Sequence, residues 1–185
     1  VDFYDPYTKG HSERVSYYAT SLAKIIGKEE IINDLFLASA LHDIGKLSIP
    51  QSILLKNKNL TEEEYNKIKE HPVKGEELVS SFEGFEKIGK IIRHHHERYD
   101  GNGYPDGLKG EEIPFESRII TIADSFDAMV TARPYRQAFS INYAINELKV
   151  NRRKQFDPHL TDEFIKFLKI NRFLRRYNYG KNIGC

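Results

Sequence analysis

The sequence predicts an all-α fold, a single compact bundle of about seven helices, and three observations carry that expectation. Apolar residues recur at intervals of three and four along most of the chain, the period of a buried helix face. The segments marked this way carry helix punctuation, including a Thr61–Glu64 capping box and a stop at Gly27. No stretch is rich in strand signals, and no internal repeat appears.

In "DPYTKGHSERVSYYATSLAKIIG", Asp5 is placed to cap the helix and Pro6 to take its first position. Tyr7, His11, Val15, Tyr18, Leu22 and Ile25 recur at helical spacing, so His11 continues the inward stripe. The second helix, roughly Glu29 to Asp43, carries Ile31, Leu35, Ala38 and His42 at steps of four, three and four. "GKLSIPQSILLKNKN" then reads as a long connection. "LTEEEYNKIKEHP" opens on its capping box and bends at Pro72, with a short helix from Val73 to Phe82 beyond. His71 is not on an apolar stripe there, since its helical neighbours are Lys67 and Glu64, and only the Pro72 bend turns it inward.

"FEKIGKIIRHHHERY" is the next helix. Its stripe of Ile88, Ile91, Ile92 and His95 points inward, with His96 one turn beyond Ile92. His94 falls over Lys87 and Lys90, on the wet face. Asp100 to Gly110 is dense in turn signals and holds four of the twelve glycines. From about Pro114 to Thr131 the chain is apolar almost all round, the mark of a central helix, and there Asp124 and Asp127 share a face. Helices near Ser140 to Arg153 and Thr161 to Lys169 follow, then a tail made basic by Arg172, Arg175, Arg176 and Lys181, to which no role is given. His159 is read as a loop histidine near a helix start.

Bulk properties narrow the function. A chain of 185 residues with 39% hydrophobic and 30% charged residues suits one globular domain and argues against disorder. The net charge of +1 provides no global field for a nucleic-acid polymer or a membrane, so any phosphate-binding surface is local. No apolar run is long enough to span a bilayer, and no signal peptide opens the chain. The only cysteine, Cys185, leaves no internal disulfide, which fits a cytoplasmic setting.

Chemistry concentrates in His11, His42, Asp43, His95, His96 and Asp124, all on inner helix faces. One buried histidine is ordinarily a hydrogen-bonded core residue. Six imidazoles and carboxylates from four helices require something central to satisfy them, and a divalent metal does so most simply. Imidazole and carboxylate without thiolate suit iron, manganese or zinc. A carboxylate can bridge two metals, so the adjacent pair His42-Asp43 fits a clamp for in-line attack on a phosphodiester. Lys46, one turn on, is placed to meet an anionic oxygen.

These motifs carry a resemblance. "HDIGK" resembles the signature of the HD phosphohydrolase superfamily, and "HHERYDGNGYP" that of its HD-GYP branch. The likeness runs from "DPYTKGHSERV" through "HPVKG" to "RIITIADSFDAMVTARPYR", covering most of the chain to about Asp157. It implies one catalytic domain over residues 1–185, with a core of about 1–157 and a C-terminal helix and tail over 158–185. The abrupt start at Val1 fits a piece of a longer signalling protein with a sensor upstream, and a homodimer is possible.

The resemblance also implies a helical bundle that hydrolyses cyclic di-GMP at a centre of two divalent cations, iron or manganese. His11, His42, Asp43 and Asp124 would hold one, and Asp43 would bridge to a second completed by His71, His95 and His96. Lys46 resembles the phosphate-contacting lysine, and Tyr104 the loop tyrosine near the substrate. Asp127, Arg133 and Arg136 match positions that contact guanine or phosphate. Some members bear a glutamate four residues before the first histidine, allowing a third metal; Tyr7 stands there, which implies two. The expected reaction is metal-assisted attack of water that opens the ring to linear pGpG, with GMP as a possible further product, and with Asp43 and Lys46 as its catalytic pair. The alternatives are an HD-type phosphohydrolase on another cyclic dinucleotide or nucleotide, and a cyclic di-GMP receptor without turnover.

Overall fold

In the computed structural model, residues 10–56, 59–132 and 137–181 are described, with side chains through residue 170. Asp5, Pro6, Tyr7, Arg133 and Arg136 therefore lie outside the described residues, as do the side chains of the basic tail.

The apolar run after Pro114 forms α7 (Phe115–Val130), the helix around which the others assemble. Ile119, Ile120, Ile122, Ala123 and Phe126 are all buried on it, which leaves no wet face in its middle turns. Against it pack α1 (His11–Ile25), α2 (Ile32–Leu41) and α6 (Glu86–Arg93). α5 (His71–Ser80) lies on α6, and α8 (Ile141–Val150) and α9 (Pro158–Lys181) close the far side. Two smaller helices, α3 (Gln51–Leu54) and α4 (Glu62–Ile68), fill the stretch between α2 and α5. The core is Val15, Leu22 and Leu35 with the isoleucines of α6 and α7 and Phe164 of α9. Each such side chain contributes about 1.5–3 kcal/mol when fully buried.

Local signals explain most boundaries. α1 ends where Gly27 takes φ 69 and the amides of Ile26, Gly27 and Lys28 turn back onto the last carbonyls. Thr61 and Glu64 form the expected reciprocal cap on α4, and Ser140 caps α8 by accepting from Tyr143 N.

The all-α bundle is as expected, with nine α-helices among the described residues once the four-residue α3 is counted. Several finer expectations need correction. α1 begins at His11, because Gly10 ahead of it sits at φ 70, outside helical geometry. The expected long connection contains a 3₁₀ helix, Ile44–Ser48, and α3. The last helix starts at Pro158, ahead of Thr161, where Asp157 accepts the amides of His159 and Leu160. Leu160, Phe164, Ile165, Phe167 and Leu168 of this helix join the hydrophobic core. Among the described residues no strand occurs, only one bridge between Arg152 and Phe156. No helix among them is long and apolar enough to cross a membrane.

Candidate metal centre

Five histidines and two aspartates from five places in the chain converge beside α7. His11 opens α1, His42 caps the end of α2, and Asp43 starts the 3₁₀ turn that follows. His71 opens α5, His95 and His96 follow the end of α6, and Asp124 sits mid-way along α7. Three overlapping groups offer ligand atoms all within 4.8 Å of one another: His71 with His95 and His96, His11 with His42 and Asp124, and His42 with Asp43 and His95. The third group shares His95 with the first and His42 with the second, and adds Asp43 between them.

The backbone decides which ring nitrogen each histidine presents. Nδ1 donates to the carbonyl of Ser39 from His42 at 2.7 Å, of Ile68 from His71 at 2.8 Å, and of Ile92 from His95 at 2.6 Å. In each case the acceptor lies three residues earlier, in the last turn the chain has just made. His11 donates its Nδ1 to Asp127 Oδ2 at 2.8 Å. With Nδ1–H committed to a carbonyl, the rings of His42, His71 and His95 turn their Nε2 atoms towards the centre, the arrangement by which outer partners orient metal-binding imidazoles.

Their lone pairs face other acceptors. His71 Nε2 and His95 Nε2 are 3.3 Å apart, His42 Nε2 is 3.5 Å from Asp43 Oδ2, and His71 Nε2 is 3.4 Å from Asp43 Oδ1. His42 Nε2 is buried without a hydrogen-bond partner. Burial pushes the pKa of His71 and His95 down, and that of His96 to about 3, with neighbouring imidazoles adding to the effect, so protonation is not their remedy. Burial acts against ionising Asp43, but Lys46, His42 and His71 outweigh it and hold the carboxyl well below its usual value. Asp124 is held low in the same way against its burial, chiefly by His11. Burial works to lower His11, yet hydrogen bonds to Asp124 and Asp127 raise it to about 9. Inward lone pairs and ionised carboxylates with too few protons between them fit divalent cations.

Two glycines make the geometry possible. A side chain on Gly45 of "HDIGK" would collide with the His71 carbonyl and the Gly75 amide, so only glycine lets the 3₁₀ turn seat against the start of α5. A side chain on Gly103 would run into the backbone of Glu97 and Arg98, at the foot of the glycine-rich loop. Two hydroxyls of α7 fix the histidine turn from below: Ser117 Oγ donates to the Ile91 carbonyl and Thr121 Oγ1 to that of His95, each at 2.8 Å.

Beside the centre lies a cavity of about 280 Å³ lined by His11, Asp43, Lys46, His96, Asp124, Ser125, Ala128 and Gln155. Lys46 Nζ reaches Asp43 Oδ2 at 2.7 Å. Tyr104 stacks on His96, with ring centroids 4.9 Å apart and planes at 28°. Burial first, then the phenol of Tyr65 and the two carboxylates, push the Tyr104 pKa up, so its hydroxyl stays neutral.

His71, which spacing left outward, is 1% exposed. α4 ends at Ile68 and α5 starts anew at His71, so the Lys67–Glu64 face is not its own. His94 is corrected in the other direction: its side chain is only 13% exposed, packed 3.5 Å from Asp106 and 3.8 Å from Glu97. α6 stops at Arg93, so the helical wheel does not carry on to His94. Asp127 lies next to the cluster of candidate ligands. It is buried behind His11, with its oxygens taken by His11 Nδ1 and by Arg14 Nε at 2.7 Å and Nη2 at 3.0 Å.

Other residues emerge only in three dimensions. Glu97, 1% exposed, accepts the amides of Asp106 at 2.7 Å and Gly107 at 3.0 Å and so ties down the loop carrying Tyr104; its place directly after the histidines was the available signal. Gln155 donates to Ser125 Oγ at 3.2 Å on the cavity wall, and nothing in the sequence pointed to either.

The HD domain family profile matches residues 1–160. The chain is 44% identical over 169 residues to the cyclic di-GMP phosphodiesterase response regulator RpfG of Xanthomonas campestris pv. campestris, a match covering 90% of this chain and 45% of that one. It is 39% identical to a cyclic di-GMP phosphodiesterase of Thermotoga maritima, over 91% of this chain and 46% of that one. Identity to the 3'3'-cGAMP-specific phosphodiesterase 3 of Vibrio cholerae is also 39%, over 85% of this chain and 35% of that one. The chain thus spans less than half the length of these curated relatives. A crystal structure of a cyclic GMP-AMP specific phosphodiesterase from V. cholerae superposes with a TM-score of 0.70 at 20% identity, covering 89% of this chain and 45% of that one. The L. monocytogenes PgpH HD domain bound to cyclic-di-AMP gives 0.63 at 21%, over 91% and 92%. Those structural likenesses show the helical fold. With the HD motif in place at its centre and the profile matched over most of its length, this chain belongs to the HD domain family.

Proposed function

We propose that the chain is a metal-dependent phosphodiesterase of the HD-GYP branch that hydrolyses cyclic di-GMP to linear pGpG. It would hold two divalent cations, iron or manganese. His11, His42, Asp43 and Asp124 would hold one, and Asp43, His71, His95 and His96 the other. When bound, such a pair lowers the pKa of water and draws charge from phosphoryl oxygens.

The protein's own groups set the rest. Asp127 and the three backbone carbonyls keep the imidazoles in the tautomer that turns Nε2 inward. Lys46, at the cavity wall, meets a non-bridging phosphate oxygen and offsets its charge. Tyr104, held by the Glu97-anchored loop, flanks the ligand with a neutral phenol. Asp43 and Lys46 act as the catalytic pair. Arg133 and Arg136 remain assigned to guanine or phosphate by resemblance alone.

One observation carries the reading: the Nε2 atoms of His42, His71 and His95 converge on Asp43 with every Nδ1 already committed to a carbonyl. The test is incubation of the purified protein, loaded with Mn(II) or Fe(II) without air, with cyclic di-GMP. The expected product is pGpG. Binding without product would replace the enzyme with a receptor.

A second reading, hydrolysis of 3'3'-cGAMP, is favoured by relatives of that name at 39% and 40% identity. Offering both dinucleotides in one reaction ranks the two by kcat/KM.

A further inference from the structure

Where α4 ends against the glycine-rich loop, three side chains outside the metal-ligand set stand together. Tyr65, in the last turn of α4, is 48% exposed. Lys69, at the C-cap of that helix, holds its ammonium 4.7 Å from the centroid of the Tyr65 ring and 5.7 Å from that of Tyr104. Tyr104 in turn stacks on His96. A wall of two aromatic rings with a cation between them thus leads from a candidate ligand out to solvent.

Lys69 differs from its neighbours in charge pairing. Lys46 is bound to Asp43, Lys56 to Glu64 and Lys67 to Glu70. Among the described residues, no carboxylate pairs with Lys69. Helix stability explains part of its placement, because a cation at a helix C-terminus and an i, i+4 contact with Tyr65 are both favourable. It does not explain why the ammonium also meets Tyr104, which arrives from another loop on the side of the cavity.

A cyclic dinucleotide carries two phosphodiesters and two bases. When one phosphodiester occupies the cavity beside Lys46, the other half must rest on the rim. A cation with no carboxylate partner and an exposed ring are the chemistry that such a half requires, since aromatic faces stack bases of any identity and an ammonium pairs with phosphate.

We propose that Tyr65, Lys69 and Tyr104 form a nucleotide subsite that holds the uncut half of a cyclic dinucleotide, Lys69 pairing with the second phosphodiester and Tyr65 stacking on its base. This rests on the phosphodiesterase reading above and adds to it the residues that select a dinucleotide over a simple phosphodiester.

Steady-state kinetics of the Mn(II)-loaded protein on cyclic di-GMP and on bis(p-nitrophenyl) phosphate test it, with Lys69→Met, Lys69→Arg and Tyr65→Leu. For Lys69→Met and Tyr65→Leu, the ratio of kcat/KM on cyclic di-GMP to that on the small diester falls roughly tenfold, through KM and not kcat. Lys69→Arg restores most of the ratio. An unchanged ratio overturns the subsite. So does an equal loss on both substrates, which would mark the pair as support for the fold; thermal midpoints, read in parallel, identify that case. If the unmodified protein cleaves the small diester but not cyclic di-GMP, the substrate reading fails and takes the subsite with it. Turnover of cyclic di-GMP with indifferent variants sinks the subsite alone.

Discussion

A neutral imidazole offers a lone pair from whichever nitrogen lacks the proton, and at this centre the neighbours make that choice before any cation arrives. Asp127 accepts from Nδ1 of His11, which leaves Nε2 turned to Asp124, and also neutralises Arg14. Asp127→Asn removes the charge while keeping the shape, so it is expected to weaken Mn(II) binding by about 10–100-fold. Isothermal titration measures this, and unchanged affinity would show that His11 needs no orienting partner. The sequence placed Asp127 near the site, because Asp124 and Asp127 share a face of α7. It did not show that one step of three residues moves the carboxylate from the cavity to the back of His11. His42 and His95 were legible because each continues an apolar stripe to its end. His71 was not, because its position depends on a helix break and on a glycine two helices away, which spacing does not encode; the family resemblance supplied it.

At the scale of elements, the site depends on short segments held by a few bonds. The turn after α6 is fixed to α7 by Thr121, whose hydroxyl also bonds the Ser117 carbonyl. Thr121→Val leaves the buried His95 carbonyl without its side-chain donor and is expected to cost about 1–3 kcal/mol in urea denaturation, with weaker metal binding. The loop carrying Tyr104 is held by Glu97 from inside and by Arg93 bonded to Asp106 from outside. Arg93 holds the Asp106 carboxyl below its ordinary value of 3.8 against mild desolvation. A carboxyl lowered on folding stabilises the protein above its unfolded pKa and loses that contribution as pH falls through the folded value. Asp106→Asn is therefore expected to destabilise the protein at pH 7, and the gap to the unmodified chain closes at acid pH, as pH falls below 3.8 through the lowered value. Denaturation midpoints at neutral and acid pH check this; a gap that persists in acid would assign the effect to packing. Helix existence was read well from periodicity, whereas helix ends were not. The stop at Arg93 lies where Ser117 and Thr121 of α7 bond the Ile91 and His95 carbonyls, and Gly10 breaks the helix by its left-handed φ.

For the molecule as a whole, the bundle acts as a clamp on charge. Its core is continuous from α1 through α7 to α9, so damage to the core should reach the site only through loss of folding. Ile120→Ala, at a fully buried position on α7, is expected to cost about 2–5 kcal/mol of stability while leaving metal stoichiometry at low temperature intact. The subsite at Tyr65 and Lys69 lies beyond what a sequence can reveal, since the path of a glycine-rich loop brings its third member. At the centre of the molecule, converging Nε2 atoms and ionised carboxylates call for cations. The measurement that bears on this most directly is metal content per chain, by mass spectrometry, after loading with Mn(II) without air and removal of excess. About two ions per chain are expected, falling to about one in His71→Ala, because the bridging carboxylate still serves the other site. Fewer than one ion in the unmodified protein, or a content indifferent to His71, would contradict this.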